Sequence, residues 1–147
     1  MDPSLRALLD EAAIRDVAAR YCRALDECDW SLLGQVFLPD STAQLGDDTV
    51  LAGLDAIVGR VRVVLDPLDG SQHLVGNHEV VVDGDTADHR CYFHAQHIRR
   101  GAEGGSLYLV AGRYIDLLRR VGDDWRIVHR RLEVMWTEGN PRVIDPR

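Results

Sequence analysis

A chain of 147 residues, 46% of them apolar, suits one soluble domain (1–147) around a single hydrophobic core. The net charge is −7 at pH 7 and lysine is absent, which argues against a nucleic-acid partner, because phosphates call for a basic face. Residues 1–6 lack the charged-then-apolar pattern of a secretion signal and no apolar run approaches the ~20 residues that span a bilayer, so a cytoplasmic setting without a membrane partner is expected.

Taken in chain order, the first element is a helix. Leu5, Leu8, Leu9, Ala12, Ile14, Val17, Ala18, Tyr21, Cys22 and Leu25 recur at spacings of three and four, giving one apolar stripe. Asp29 is a good N-cap for a second, short helix from Trp30 to Phe37, which Pro39 stops. Ser41–Leu45 and Thr49–Leu51 read as a hairpin around Gly46-Asp47-Asp48. A third helix is predicted from Leu54 to Leu65, with Ile57, Val58, Val61, Val64 and Leu65 on its buried side, ended by Pro67 and Gly70. Four β-prone runs follow, at 72–82, 86–99, 106–119 and 125–136. Turn signals separate them at Asp83-Gly84-Asp85, Gly101 to Gly105 and Gly122-Asp123-Asp124. Short connections make neighbouring runs antiparallel, so a meander is predicted. Helices followed by a curved meander define an α+β class, with the helices on one face and an apolar pocket between the layers. How Leu38, Ile57, Val61, Tyr108 and the tail from Gly139 to Arg147 pack sets the size of that pocket.

The polar residues that such a pocket would hold are the informative ones, because burying them without a partner costs ~1–3 kcal/mol each. Asp26 ends the long helix beside Tyr21 and Cys22. His73 opens the first long strand run, Tyr92 and His94 share one face of the next by the period-two rule, and Arg130 lies in the last. Periodicity alone does not select Asp26: it falls near the edge of the apolar stripe, and Asp29 projects closer to its centre. Capping gives Asp29 a local role and leaves Asp26 without one. No metal site is predicted, because His94 and His97, three apart in a strand, point to opposite faces. Cys22, Cys28 and Cys91, an odd number without CxxC spacing, read as reduced thiols packed like small hydrophobes. Trp30, Trp125 and Trp136 read as core or subunit-contact aromatics. The pairs Arg99-Arg100, Arg119-Arg120 and Arg130-Arg131 read as solvated charge at hairpin ends, one member of the last pair excepted.

Tyr21-Cys22-Arg23-Ala24-Leu25-Asp26, Asp29-Trp30, Gln72-His73, Gly76-Asn77, Gly112-Arg113-Tyr114 and Trp125-Arg126-Ile127 occur in an order and spacing that resemble the SnoaL-like branch of the nuclear transport factor 2-like superfamily. The resemblance runs from about Ala12 to Trp136. Within that branch the chain looks most like scytalone dehydratase, bile acid 7α-dehydratase and hexachlorocyclohexane dehydrochlorinase, which are cofactor-free lyases built on a cone of helices and curved sheet. The resemblance implies an Asp26–His73 acid–base pair, with Tyr21 and Arg130 (or Arg131) as further catalytic groups. It places Tyr92 and His94 at pocket-facing positions as substrate contacts and puts a second strand histidine at His94 or His97; Tyr108, whose packing bears on the pocket's size, is expected to be a further substrate contact. It also implies a small apolar substrate, no cofactor, and a homo-oligomer, trimer rather than dimer, assembled through outer-face residues such as Leu107, Leu109, Val134 and Trp136. Isomerases and polyketide cyclases share the fold, and so do non-catalytic adaptors. The separation of Asp26 and His73 discriminates: hydrogen-bond contact in a closed apolar cavity favours an enzyme, and more than ~4 Å or full exposure favours a binder.

Overall fold

Asp2 and Pro3 start the first helix in the computed structural model, which describes residues 1–145. Asp2 Oδ1 accepts the Ser4 N–H at 3.0 Å and Pro3 sits where no helical donor is needed, so α1 runs Pro3–Asp26. It stops at Asp26 because Cys28 turns left-handed (φ 52°). Cys28 N–H then bonds Leu25 O at 3.2 Å and Asp29 N–H bonds Ala24 O at 2.9 Å, the paired closure of a Schellman motif. Asp29 does not cap the next segment as its sequence position predicts. Its carboxylate accepts from Ser31 Oγ at 2.9 Å, and Trp30–Gln35 forms a 3₁₀ turn, not an α-helix.

β1 (Phe37–Leu45) carries Pro39 and breaks register against its neighbour between Phe37 and Thr42. Ser41 Oγ fills the gap, accepting from Leu38 N–H at 2.9 Å and donating to Ile127 O at 2.6 Å. β2 (Leu51–Ala52) pairs with β1, and α2 (Leu54–Leu65) has the predicted bounds, burying Ile57, Val61 and Leu65 at fourfold spacing. β3 (Gly70–Asp83), β4 (Thr86–Ile98), β5 (Leu107–Val121) and β6 (Asp124–Gly139) form the predicted antiparallel meander, each within a few residues of its run. The sheet order is β2-β1-β6-β5-β4-β3, and β1 lies parallel to β6, which makes the sheet mixed.

Register shifts in β3/β4 and at two places in β5/β6 bend the sheet around the helices. Gly112 stands at one of them, where a Cβ would lie 1.9 Å from Glu133 O, so no larger residue fits the bend. Burial alternates strictly along most of β4: Ala87, His89, Cys91, Phe93, Ala95 and His97 face the core. Tyr92 and His94 therefore point outward, and their predicted pocket positions are corrected by one step of the pleat.

Two polar clamps brace the fold, one between helix and sheet and one within the sheet. Asp10 of α1 receives a bidentate pair from Arg120 at 2.6 and 3.0 Å, plus the Trp125 indole N–H at 3.2 Å, while the Arg120 guanidinium lies 4.5 Å from the Trp125 ring centroid. Arg120 is thus a tethered residue, not the solvated charge its hairpin position predicts. The second clamp is Asp116–Arg130, buried in the core. Trp125 is fully buried, as expected of a core aromatic, whereas Trp136 is 45% exposed. Cys22 and Cys91 are buried free thiols, and Cys28 is exposed at the helix end. The tail turns back against the sheet: Asn140 Nδ2 donates to Glu103 O and Gly105 O, and Val143 is buried. Of the tail considered above, 146–147 lie outside the described residues.

Candidate active site

The end of α1 meets the start of β3 through one carboxylate. Asp26 Oδ1 accepts from His73 Nδ1 at 2.6 Å and from Ser71 Oγ at 3.0 Å, and its Oδ2 accepts the His73 backbone N–H at 2.9 Å. The Schellman turn fixes Asp26 at this height, and the first strand residues present both donors. Burial by itself would raise the Asp26 carboxyl. The hydrogen bonds from His73 and Ser71 outweigh it and hold the group below the usual carboxylate range, so it is ionised near neutrality. An ionised acceptor at Nδ1 keeps the proton on that nitrogen and leaves Nε2 of His73 as a lone pair.

His73 lines a partly open cavity of about 290 Å³ between sheet and helices. α2 contributes Val61, Val64 and Leu65, the tail contributes Ile144, and the sheet contributes Phe93, Ala95, Val110 and Leu132. The polar groups among these apolar ones are few: Tyr21, His73, His97, Tyr108, Tyr114, Thr137 and the rim cation Arg60, itself 3.4 Å from Asp47. Such a wall of apolar surface with a handful of polar atoms is what a small-molecule site requires.

His97 donates from Nδ1 to Tyr108 O at 3.0 Å, and its ring meets that of His73 edge-on at 5.9 Å between centroids. Desolvation pushes the His97 imidazole below its ordinary value, so it stays neutral with Nε2 as an acceptor. Tyr21 is buried and its phenol is pushed up to about 12 by desolvation, which keeps its proton in place as a donor. Behind it, Arg130 is fully buried, sandwiched between Tyr21 and Tyr114 with its guanidinium 4.4 and 3.9 Å from their ring centroids. Arg130 donates to both oxygens of Asp116 at 2.8 and 2.9 Å, while its Nη1 has no hydrogen-bond partner. Burial would favour neutral partners, but the mutual attraction of Asp116 and Arg130 lowers the carboxyl and raises the guanidinium, so both remain charged.

The fold therefore brings Tyr21, His73 and Tyr108 onto one cavity, with Asp26 directly behind His73. Arg130, not the half-exposed Arg131, faces inward, yet it does not line the cavity. Tyr92 and His94 are on the opposite face of the sheet, where His94 packs edge-on against Trp136 at 5.4 Å. Of the two candidates for a second histidine, His97 is the one in the cavity. The alternation of β4, once its register is known, would have selected it.

A family model described as a SnoaL-like domain matches residues 6–131. The chain belongs to the SnoaL-like family. An uncharacterised protein of Mycobacterium tuberculosis is 29% identical over 131 residues, 86% of each chain. Among solved structures, the Kfla4162 protein from Kribbella flavida superposes with a TM-score of 0.86 at 22% identity, over 95% of this chain and 99% of that one. A scytalone dehydratase candidate from Novosphingobium aromaticivorans gives 0.83 at 22%, over 93% and 91%. A hexachlorocyclohexane dehydrochlorinase from Novosphingobium barchaimii gives 0.81 at 16%, over 94% of both. At these identities the likeness is one of fold, and this SnoaL-like chain has the nuclear transport factor 2-like architecture of helices on a curved, open sheet.

Proposed function

We propose that this SnoaL-like protein is a cofactor-free lyase that eliminates water or a comparable leaving group from a small apolar cyclic or polycyclic molecule. One observation carries the reading: a carboxylate-oriented imidazole, His73 Nδ1 to Asp26 Oδ1 at 2.6 Å, on the wall of a largely apolar, partly open cavity. A binder would have no use for a carboxylate aimed at the back of a pocket histidine. In this scheme His73 Nε2 removes a proton from a substrate carbon, the C–H electrons form the new double bond, and the carbon–oxygen bond breaks. The Tyr21 phenol gives its proton to the departing hydroxide, so the pair releases water. His73 then returns a proton to Tyr21, restoring both groups. The Arg130 cation behind the Tyr21 ring stabilises the transient phenolate without touching substrate, a positioning role in place of the direct one the resemblance implies. His97 Nε2 accepts a hydrogen bond from a substrate hydroxyl, and Tyr108 packs against the apolar body.

Positioned proton transfer of this kind contributes ~10²–10⁴ in rate. Asp26→Asn preserves shape but donates from its amide or accepts weakly, so His73 loses its fixed tautomer. The test measures binding and turnover of sterol-like, polyketide-like and chlorinated compounds by wild type and by this variant. The lyase reading expects turnover by wild type and a fall of about 10²–10⁴-fold in kcat for Asp26→Asn with binding retained. Equal binding by both proteins with turnover by neither would assign the cavity to a carrier.

A further inference from the structure

A second set of ligating side chains lies on the inner face of the sheet, away from the cavity. Its cause is the irregularity in β3. Gly76 pairs with Tyr92 and Glu79 with Arg90, so Asn77 and His78 together oppose the single residue Cys91. Asn77 adopts φ 55°, a left-handed conformation uncommon outside glycine. In an unbroken strand the inward set of His73 and Val75 would continue to residue 77, and His78 would face out. The extra residue instead turns His78 in toward β4, the kind of re-aiming for which bulges are retained.

There it meets His89 and Cys91. One ligand atom from each of the three lies within 4.8 Å of the others. His78 Nδ1 is 2.9 Å from His89 Nε2, and the far nitrogen of His89, Nδ1, is 2.8 Å from Asp116 Oδ2. Asp116 is ionised by its pairing with Arg130, so His89 carries its proton on Nδ1 and turns a lone pair toward His78 and Cys91. That carboxylate-behind-imidazole arrangement is the one that orients histidines on zinc. His89 and Cys91 are buried, whereas half-buried His78 also lines a groove between α1 and β3 with Glu11 and Arg15, which gives an ion a route in.

We propose that His78, His89 and Cys91 form a binding site for a thiophilic divalent cation of the zinc class, which clips the edge strand β3 to β4 across the bulge. Two imidazole nitrogens and a thiolate suit zinc and exclude magnesium or calcium, which take oxygen ligands. Binding is balanced by loss of one proton, from Cys91 Sγ. His78 shifts its ring proton from Nδ1 to Nε2, both imidazoles stay neutral, and the positive charge of nearby Arg130 is already matched by Asp116. The sequence hides this site, because the residues are eleven and two apart in two strands and the bulge alone sets them on one face.

Chelator-treated full-length protein titrated with Co²⁺ should take up one equivalent, with a thiolate-to-cobalt charge-transfer band and release of one proton per ion in weak buffer. Zn²⁺ should raise Tm with concentration, as any ligand confined to the folded state does. His78→Gln, at a half-buried position that tolerates the change, should weaken binding at least about tenfold, given that even outer-shell changes at metal sites cost 10–100-fold. Cys91→Ser should lower the metal-free Tm, because it buries a hydroxyl in the core, and should lose the band, while Cys28→Ser should keep both band and stabilisation. Absence of saturable binding would overturn the proposal. A band that survives Cys91→Ser, or disappears in Cys28→Ser, would do the same by placing the ion elsewhere.

Discussion

At the scale of single residues, the two inward arginine candidates of β6 make opposite demands. Arg130 is fully buried and spends two donors on Asp116, whereas Arg131 pairs with Glu133 at 2.6 Å near the surface. Removing one partner of a buried pair leaves the other charge unpaired, which costs about 3–5 kcal/mol. Arg130→Gln should therefore lower stability by about 3–5 kcal/mol in urea unfolding, and Arg131→Gln by less than about 1 kcal/mol, the usual worth of an exposed pair. His97 supplies a pH dependence. Its folded-state pKa lies below the ordinary 6.5, so the unfolded chain binds a proton that the folded one refuses. Its contribution to stability is complete above that ordinary value and is lost as pH falls through the depressed folded one. Asp26, also depressed, contributes above the usual carboxylate range and is lost only in stronger acid. The urea midpoint of wild type should fall between pH 7 and pH 5, and His97→Gln should flatten that limb while leaving the more acidic one. An unchanged slope in the variant would mean that another group sets it. Neither His97 nor Arg130 could be assigned from residue type alone: each has a neighbour of the same kind, and only the direction of the pleat separates them.

At the scale of elements, the helix end is the decisive device. The long stripe of α1, the bounds of α2 and the four long strands are all legible, because hydrophobic periodicity and turn residues act over short distances. The stop at Asp26 is not legible in the same way, since no glycine marks it. Cys28 takes the left-handed position instead, at a cost of roughly 1–2 kcal/mol for a residue with a Cβ. Glycine removes that cost but adds entropy to the unfolded chain, about 0.5–1 kcal/mol. Cys28→Gly should therefore raise stability by about 0.5–1 kcal/mol, seen as a higher urea midpoint with unchanged slope, without altering the Asp26–His73 bond. Destabilisation would show that the exposed Cys28 side chain makes contacts that outweigh its backbone strain. The four register shifts are the element-level features that sequence reading missed. Each depends on a partner strand, so Pro39, Asn77 and Gly112 mark where bending is allowed without stating how the facing strand is offset.

At the scale of the whole molecule, the outer face of the sheet is unusually apolar. Tyr92, Met135 and Trp136 are each 45–50% exposed, and His94 lies edge-on to Trp136, whereas Val134, expected on this face, lines the cavity instead. Residues expected in the pocket thus belong to a surface patch of the type that marks subunit contacts. A homo-oligomer, trimer before dimer, is expected to form through it. Trp136→Glu should shift the sedimentation coefficient of the wild-type assembly to that of a monomer while leaving the circular dichroism of the fold intact. A wild-type protein that sediments as a monomer at micromolar concentration would remove the oligomer from this account. No helix of the described residues is long and apolar enough to cross a membrane.

The order of helices and strands, the α+β class and the identity of Asp26, His73 and Tyr21 as candidates were all present in the sequence, the first two through local periodicity and the last through the spacing of a family pattern. Tertiary structure alone decided that β1 lies parallel to β6, that His97 and not His94 enters the cavity, that Arg130 supports Tyr21 from behind, and that His78 joins His89 and Cys91. For the last three the physical reason is common: a strand's side chains alternate every residue, so a one-residue offset set by a distant partner reverses what faces the core. The parallel pairing of β1 with β6 joins distant parts of the chain, and no local pattern encodes it.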